Sequence, residues 1–119
     1  MHLHHLAIRV INLEESIDFY EKIIGLKISK QFRYEAAEIA YMTNVKGATE
    51  IELIYFPDQP TYQGTGLTVC FETEQLDYMH KYITELGLQP SDIRNPNPES
   101  RYFFVYDPNG VSIQLNQIL

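Results

Sequence analysis

The first regular pattern in the chain is an alternation of apolar and other residues near the start. Leu6, Ile8 and Val10 alternate with Ala7 and Arg9. A period of two predicts a strand with one buried face. The sequence therefore opens with a strand whose aliphatic side chains lie towards a core.

The next segment changes to a helical period. Asn12 precedes it and Glu15 follows three residues later, a capping-box arrangement at a helix start. Gly25 supplies the stop. One face of the predicted helix carries Leu13, Ile17, Tyr20 and Ile24. Three strands are predicted next, at about Lys27–Tyr34, Ala37–Thr43 and Thr49–Phe56.

The second half repeats this order. Residues 67–71 alternate, Thr73 is placed to cap a helix, and Gly87 ends it. The buried face of that helix is predicted to carry Leu76, Met79, Ile83 and Leu86. Strands are then expected at Leu88–Ile93, Tyr102–Tyr106 and Val111–Gln117, separated by an Asn95–Pro98 loop and an Asp107–Gly110 type I turn.

The two halves are therefore copies of one unit. Residues 5–10 match residues 66–71, a shift of 61, and residues 51–55 match residues 113–117, a shift of 62. We predict an α+β fold in which two βαβββ modules, about 1–60 and 61–119, form a curved eight-stranded mixed sheet around a cavity. The whole chain, 1–119, is expected to be a single domain.

Alternation also predicts which side chains line that cavity. A solvated sheet face would be polar too, but such faces are usually rich in Lys and Glu. The residues predicted to point inward instead mix imidazole, guanidinium, acid, amide and small side chains. We therefore favour a concave ligand site over a solvated face. The predicted inward residues are His5, Ala7, Arg9, Glu50, Glu52, Ile54, Gly66, Thr68, Cys70, Glu72, Ser112, Gln114 and Asn116.

Composition narrows the class of partner. The net charge of −7 and the pI near 4.9 disfavour nucleic acid and anionic membranes as partners. No apolar run is long enough to span a bilayer, and the first residues lack the features of a signal peptide. Cys70 is the single cysteine, which suits a reducing compartment, and the cytoplasm is the expected location. We expect Cys70 to be a small buried residue rather than a nucleophile.

Four segments carry a family resemblance: HHLAIRV at 4–10, LEESIDFYEKIIGLK at 13–27, IELIY at 51–55 and DPNGVSIQL at 107–115. Together they resemble the glyoxalase/bleomycin-resistance/extradiol-dioxygenase (vicinal oxygen chelate) superfamily. The resemblance covers the full chain and implies the paired βαβββ fold. It implies no single reaction, because this fold hosts lyases, epimerases, thiol transferases, dioxygenases and metal-free binders. It also implies a homodimer.

The resemblance assigns the metal positions of the family to four residues here. The first ligand falls on His5 and the second on Glu52, while the third, usually histidine, falls on Gly66, and the fourth, usually glutamate, on Gln114. His5, Glu52 and Gln114 would still offer three ligands to Zn, Ni, Fe or Mn. A metal-bearing site and a metal-free pocket are left as alternatives.

The expected function depends in the same way on whether the site holds a metal. The catalytic residue implied by the family is Glu52, because the amide of Gln114 accepts no proton at neutral pH, which counts against ordinary glyoxalase I activity. We assign substrate binding to Arg9, Thr68 and Asn116. The guanidinium of Arg9 suits a carboxylate or phosphate, and an ion pair with Glu50, Glu52 or Glu72 is its structural alternative. The leading interpretation is a glyoxalase-like protein that binds a small organic molecule, as a divergent metal-dependent lyase or isomerase. The alternative is a metal-free binding or sequestering protein of the bleomycin-resistance type.

Overall fold

The computed structural model describes all residues, 1–119, and divides them into two compact units, residues 1–63 and 64–119. The first contains β1 His5–Arg9, α1 Leu13–Phe19, a π-helical turn Tyr20–Ile24, β2 Lys27–Tyr34, β3 Ala37–Thr43 and β4 Glu50–Tyr55. The second contains β5 Thr68–Glu72, α2 Leu76–Glu85, β6 Arg94–Asn97, β7 Ser100–Tyr106 and β8 Ser112–Ile118. Both units have the order βαβββ, so the predicted α+β class and the internal repeat are confirmed.

The strands pair in the same way in each unit. The sheet orders are β1-β4-β3-β2 and β5-β8-β7-β6, so the eight expected strands are hydrogen-bonded as two separate four-stranded sheets. The first strand of each unit runs parallel to the last, and the other pairs are antiparallel. Neither helix is long and apolar enough to cross a membrane.

The core of the first unit lies between α1 and one face of its sheet. Asn12 caps the helix as predicted, because its Oδ1 accepts a hydrogen bond from the Glu15 backbone N–H at 3.0 Å. Gly25 ends the helical segment with φ of 85°. The helical side of this core is formed by Ile17, Phe19, Tyr20 and Ile23 from α1 and the π-helical turn, and the sheet side by Ile8, Ile51 and Leu53 from the strands and Val10 directly after β1.

The core of the second unit is built alike, with two corrections. Leu76 and Ile83 of α2 are buried as predicted, but Met79 is half-buried, and Leu86 is exposed because the helix ends at Glu85. Arg101 of β7 donates to both carboxylate oxygens of Asp77, at 2.8 and 2.9 Å, and so ties the sheet to the helix. The sheet side of this core is formed by Phe103, Val105, Ile113 and Leu115.

The prediction of a strand at Leu88–Ile93 is wrong, and β6 lies instead at Arg94–Asn97. Residues 88–93 are held by isolated contacts, since Ser91 N–H donates to the Phe104 carbonyl and the Ser91 hydroxyl accepts from Phe104 N–H, both at 2.9 Å. Pro96 lies within β6, which is possible because an edge strand needs hydrogen bonds on one side only.

Candidate functional site

His5 and Glu52 form a side-chain pair in the first unit. The parallel register places His5 opposite Glu50 and Ala7 opposite Glu52, so both side chains lie on the sheet face away from the core. The His5 Nε2 atom is 3.4 Å from Glu52 Oε1, with the two side chains 34% and 11% exposed. A carboxylate this deeply buried beside an imidazole is unusual for a solvated sheet face.

Tyr41 completes this cluster. It is the β3 partner of Glu52, its hydroxyl donates a hydrogen bond to the Glu52 carboxylate, and its ring meets the His5 ring edge-on at 5.3 Å. Burial, followed by the hydrogen bond to Glu52 and the negative charges of Glu52 and Glu50, raises the pKa of Tyr41 above its ordinary value. Tyr41 therefore stays a neutral hydrogen-bond donor to Glu52.

Two further contacts fix the surroundings of the pair. His4 and His5 approach through their Nδ1 atoms at 2.8 Å, so one ring donates to the other and His5 Nε2 is left for another partner. Ser29 donates from its hydroxyl to the Glu50 carboxylate. Glu50 thereby has a hydrogen-bond partner outside the His5–Glu52 pair.

The distance between the two donor atoms of the pair suits a divalent ion, but the pair supplies only two ligands. Two donors bound at about 2.0–2.2 Å to a tetrahedral ion stand about 3.4 Å apart, and His5 Nε2 and Glu52 Oε1 are separated by 3.4 Å. No group of three or more His, Cys, Asp or Glu side chains is arranged to hold a metal. A third protein ligand would therefore have to be of another type, such as an amide.

Arg9 has partners other than the acids considered from the sequence. Its guanidinium donates to Gln59 Oε1 at 3.1 Å and lies over the Phe56 ring at 5.1 Å from the centroid. The expected alternative, an ion pair with Glu50, Glu52 or Glu72, is replaced by this neutral hydrogen bond. A guanidinium with a neutral partner retains its full charge for an anionic group.

The remaining predicted residues belong to the second unit. Thr68 donates from Oγ1 to Ser112 Oγ at 3.2 Å, and Asn116 lies opposite Glu72 in the β5–β8 register. Gln114 accepts at Oε1 from the Cys70 thiol at 3.3 Å. Cys70 is exposed, so the prediction that it is buried is wrong.

The strand register revises the correspondence between the two units. Glu50 and Ser112 are equivalent by the shift of 62, and they pair with His5 and Thr68 respectively. Thr68 therefore holds, within its sheet, the place that His5 holds in the first. Gly66 lies two residues before β5 with φ of 90°, a conformation that suits glycine.

Sequence reasoning missed Tyr41, Ser29 and Lys30. The register between β3 and β4 depends on the turn at residues 44–49, which alternation alone does not specify. A bulge in β2 between Ile28 and Lys30 then changes which side chains of that strand face Tyr41. No signal in the sequence marks this bulge.

Comparison with known proteins gives the class. Residues 2–115 match the Glyoxalase/Bleomycin resistance protein/Dioxygenase superfamily, and the chain belongs to this superfamily. A lactoylglutathione lyase of Shigella flexneri is 37% identical over 126 residues, covering 97% of this chain and 91% of that protein. The uncharacterized protein YwkD of Bacillus subtilis (strain 168) is 29% identical over 120 residues, covering 95% and 94%.

Solved structures agree on the fold. TnmS3, an antibiotic binding protein from Streptomyces sp. CB03234, superposes with a TM-score of 0.80 at 24% identity, covering 100% of this chain and 97% of that one. The glyoxalase I of Leishmania major gives a TM-score of 0.82 at 19% identity, covering 97% and 85%. An enzyme and a binding protein thus share this architecture.

Proposed function

We propose that the protein binds a small organic molecule at the face formed by His5, Glu52 and Tyr41, as a metal-dependent lyase or isomerase of the glyoxalase type. The observation that carries the proposal is the buried Glu52 carboxylate held 3.4 Å from His5 Nε2. The lactoylglutathione lyase at 37% identity supports the same reaction class.

In this proposal His5 and Glu52 of the first unit hold the metal, and Gln114 is the third ligand that the family resemblance implies. A divalent ion bound there supplies Lewis-acid polarisation of a substrate oxygen. The hydroxyl of Tyr41 fixes the orientation of the Glu52 carboxylate through its hydrogen bond. Arg9, Thr68 and Asn116 orient the polar groups of the substrate, and Arg9 suits a substrate carboxylate or phosphate.

Glu52 has two possible roles in the chemistry. As a base, it accepts a proton from the carbon next to a substrate carbonyl and returns it to the neighbouring carbon. As a metal ligand, it gives up part of that basicity. Gln114 cannot share the proton transfer, because a neutral amide accepts no proton in this pH range.

The second candidate is a metal-free binding protein of the bleomycin-resistance type. It is favoured by Gln114, whose Oε1 already accepts the Cys70 thiol at 3.3 Å and whose amide brings no negative charge to a metal. TnmS3, described as an antibiotic binding protein, supports this alternative at the level of the fold.

Metal titration of the apo protein separates the two candidates. Calorimetry with zinc and nickel should give stoichiometric uptake by the wild type. His5→Ala and Glu52→Gln should each weaken it by more than the roughly 10- to 100-fold that loss of an outer-sphere partner costs. Glu21→Gln, an exposed carboxylate in the first unit, is the matched control. Equal metal uptake by all variants would reject this metal site and favour the second candidate, the metal-free binding protein.

A further inference from the structure

An aromatic and cationic surface adjoins the candidate site on the same sheet face. It consists of Lys30, Phe32 and Tyr41, and we refer to these three residues as the aromatic platform. The rings of Phe32 and Tyr41 are nearly parallel, at 15° with centroids 6.3 Å apart. Lys30 Nζ lies 4.4 Å from the Tyr41 centroid and 6.0 Å from that of Phe32.

A β-bulge creates this surface. Ile28 pairs with Met42, and without an irregularity Lys30 would pair with Ala40, whose side chain is buried in the core. The extra residue, Ser29, moves Lys30 opposite Tyr41 instead. The bulge therefore brings Lys30 and Phe32 to the face of His5 and Glu52, and bulges near functional sites often re-aim side chains in this way.

The platform is continuous with the His5–Glu52 pair. Tyr41 belongs to both, because its ring edge contacts His5 and its hydroxyl donates to Glu52. Phe32 is 42% exposed, so an aromatic face remains accessible in the chain. A ligand at the pair would extend over these rings.

The charges on this face select the type of ligand. Glu50 is bonded to Ser29, and Glu52 to Tyr41 and His5, so both carboxylates have partners. Lys30 contacts only ring faces and forms none of the ion pairs of the chain. Hydrogen bonds from neutral hydroxyls do not cancel the negative charges of Glu50 and Glu52, so Lys30 is the one group of the platform that can pair with an anionic ligand group.

We propose that the aromatic platform binds the planar aromatic ring of a carboxylate ligand, with Lys30 pairing the carboxylate. This inference rests on the proposed function only in taking the same sheet face as the ligand site. Rings stack in offset or edge-on arrangements on such surfaces, and a displaced lysine ammonium stays within reach of an anion. The ligand class is thus an aromatic acid rather than an aliphatic acid or a neutral ring.

Three probes test the ligand class on metal-free protein, because a bound metal would itself attract carboxylates. Benzoate has both features, cyclohexanecarboxylate lacks the π-face, and benzamide lacks the charge. Ligand-observed NMR titration should rank benzoate first, with a dissociation constant in the millimolar range expected for so few atoms. Equal binding of benzoate and cyclohexanecarboxylate, or no detectable binding of benzoate, would overturn the proposal.

Three variants test the location. Phe32→Leu removes the aromatic ring and Lys30→Met removes the ammonium charge, while the new side chain has a similar length in both cases. Each substitution should weaken benzoate binding on the order of 2- to 10-fold. Lys27→Met, at an exposed lysine of the same strand, should leave it unchanged. If Lys30→Met and Lys27→Met behave alike, the platform is not the site. Metal uptake is measured separately. If the wild type takes up no metal but binds benzoate through Phe32 and Lys30, the metal site is rejected and the aromatic platform is retained.

Discussion

Tyr41 shows how one residue reports on the candidate site. Its pKa is raised chiefly by burial, then by its hydrogen bond to Glu52 and by the charges of Glu52 and Glu50. The neutral phenol is therefore the form that folding favours. Its contribution to stability is complete below the ordinary value of 10.0 and is lost as the pH rises through the raised pKa.

Removal of the Glu52 charge should lower the pKa of Tyr41. Glu52→Gln keeps an oxygen that accepts the phenol hydrogen bond but removes the charge, so the Tyr41 pKa should move towards its ordinary value. Glu50→Gln should cause a smaller shift, because Glu50 is the weakest of the causes. Ultraviolet titration of tyrosinate, taken as the difference from the Tyr41→Phe version of each protein, isolates this one ring. An unchanged midpoint in Glu52→Gln would contradict the Tyr41–Glu52 contact.

Gly66 and Thr68 differ in what they tolerate. Gly66 has φ of 90°, and a Cβ there would meet nothing within 4 Å, so a side chain would be opposed by backbone strain alone. Gly66→Ala should destabilise the protein by about 1–2 kcal/mol. Thr68→Ala removes one exposed hydrogen bond and should cost about 0.5–1.5 kcal/mol.

The two sites differ more clearly when histidine is introduced. Gly66→His should carry the full backbone penalty, whereas Thr68→His keeps its strand conformation and occupies the counterpart of His5. Denaturant unfolding measures the cost, and zinc titration measures any gain in affinity. A Gly66→His protein as stable as the wild type would show that this backbone is not strained.

At the level of elements, the turn before β8 depends on Asp107. This carboxylate, 5% exposed, accepts from the backbone N–H groups of Asn109 and Val111 at 2.8 Å and from the Asn109 side chain at 3.1 Å. The predicted turn at Asp107–Gly110 is present, with Gly110 N–H donating to the Asp107 carbonyl at 3.1 Å, and the Asp107 side chain anchors it. Turn and strand are thus joined by one side chain.

Asp107→Ala should therefore be strongly destabilising. It leaves buried donors unsatisfied, at about 1–3 kcal/mol for each group, so the loss should exceed about 2 kcal/mol. Asp58→Ala, an exposed aspartate in a loop of the first unit, should change stability by less than about 0.5 kcal/mol. Chemical denaturation of the three proteins gives the comparison. A loss for Asp107→Ala no larger than that of the control would show that backbone geometry alone maintains the turn.

The elements also show what the sequence can predict. Alternation and capping residues located β1 and α1, because each has one buried face whose period is visible. β2 and β3 also lie at their predicted bounds, although all eight residues of β2 are exposed. They placed His5 and Glu52 on one face for the same reason. β6 was misplaced, because an edge strand with few buried side chains has no such period and contains Pro96.

The rest of the site depends on register. Lys30 and Phe32 share a face with Tyr41 only through the bulge at Ser29, and such an irregularity arises from pairing between strands rather than from the pattern of one strand. Likewise, the sequence shift matches His5 to Gly66, whereas the hydrogen-bond register of the strands matches His5 to Thr68. A slip of two residues preserves the alternation, so the sequence pattern does not reveal it.

At the scale of the whole molecule, each sheet ends in open strand edges. β2 has one hydrogen-bonded neighbour, all eight of its residues are exposed, and two large apolar side chains, Ile28 and Tyr34, lie on it outside the aromatic platform. Exposed apolar edges are a liability that proteins usually cover, and pairing with a second copy is the simplest way to do so. We therefore expect a homodimer.

Light scattering after gel filtration should give twice the chain mass of 13.9 kDa at micromolar concentration. Ile28→Lys places a charge on the β2 edge and should weaken the dimer, because a charge on an edge strand opposes further pairing. Lys46→Met, at an exposed turn residue outside the strands, serves as the control, and circular dichroism checks that both variants are folded. A wild-type mass of 13.9 kDa would refute the dimer. A folded Ile28→Lys protein that dimerises as tightly as the control would show that the two copies meet through other strands.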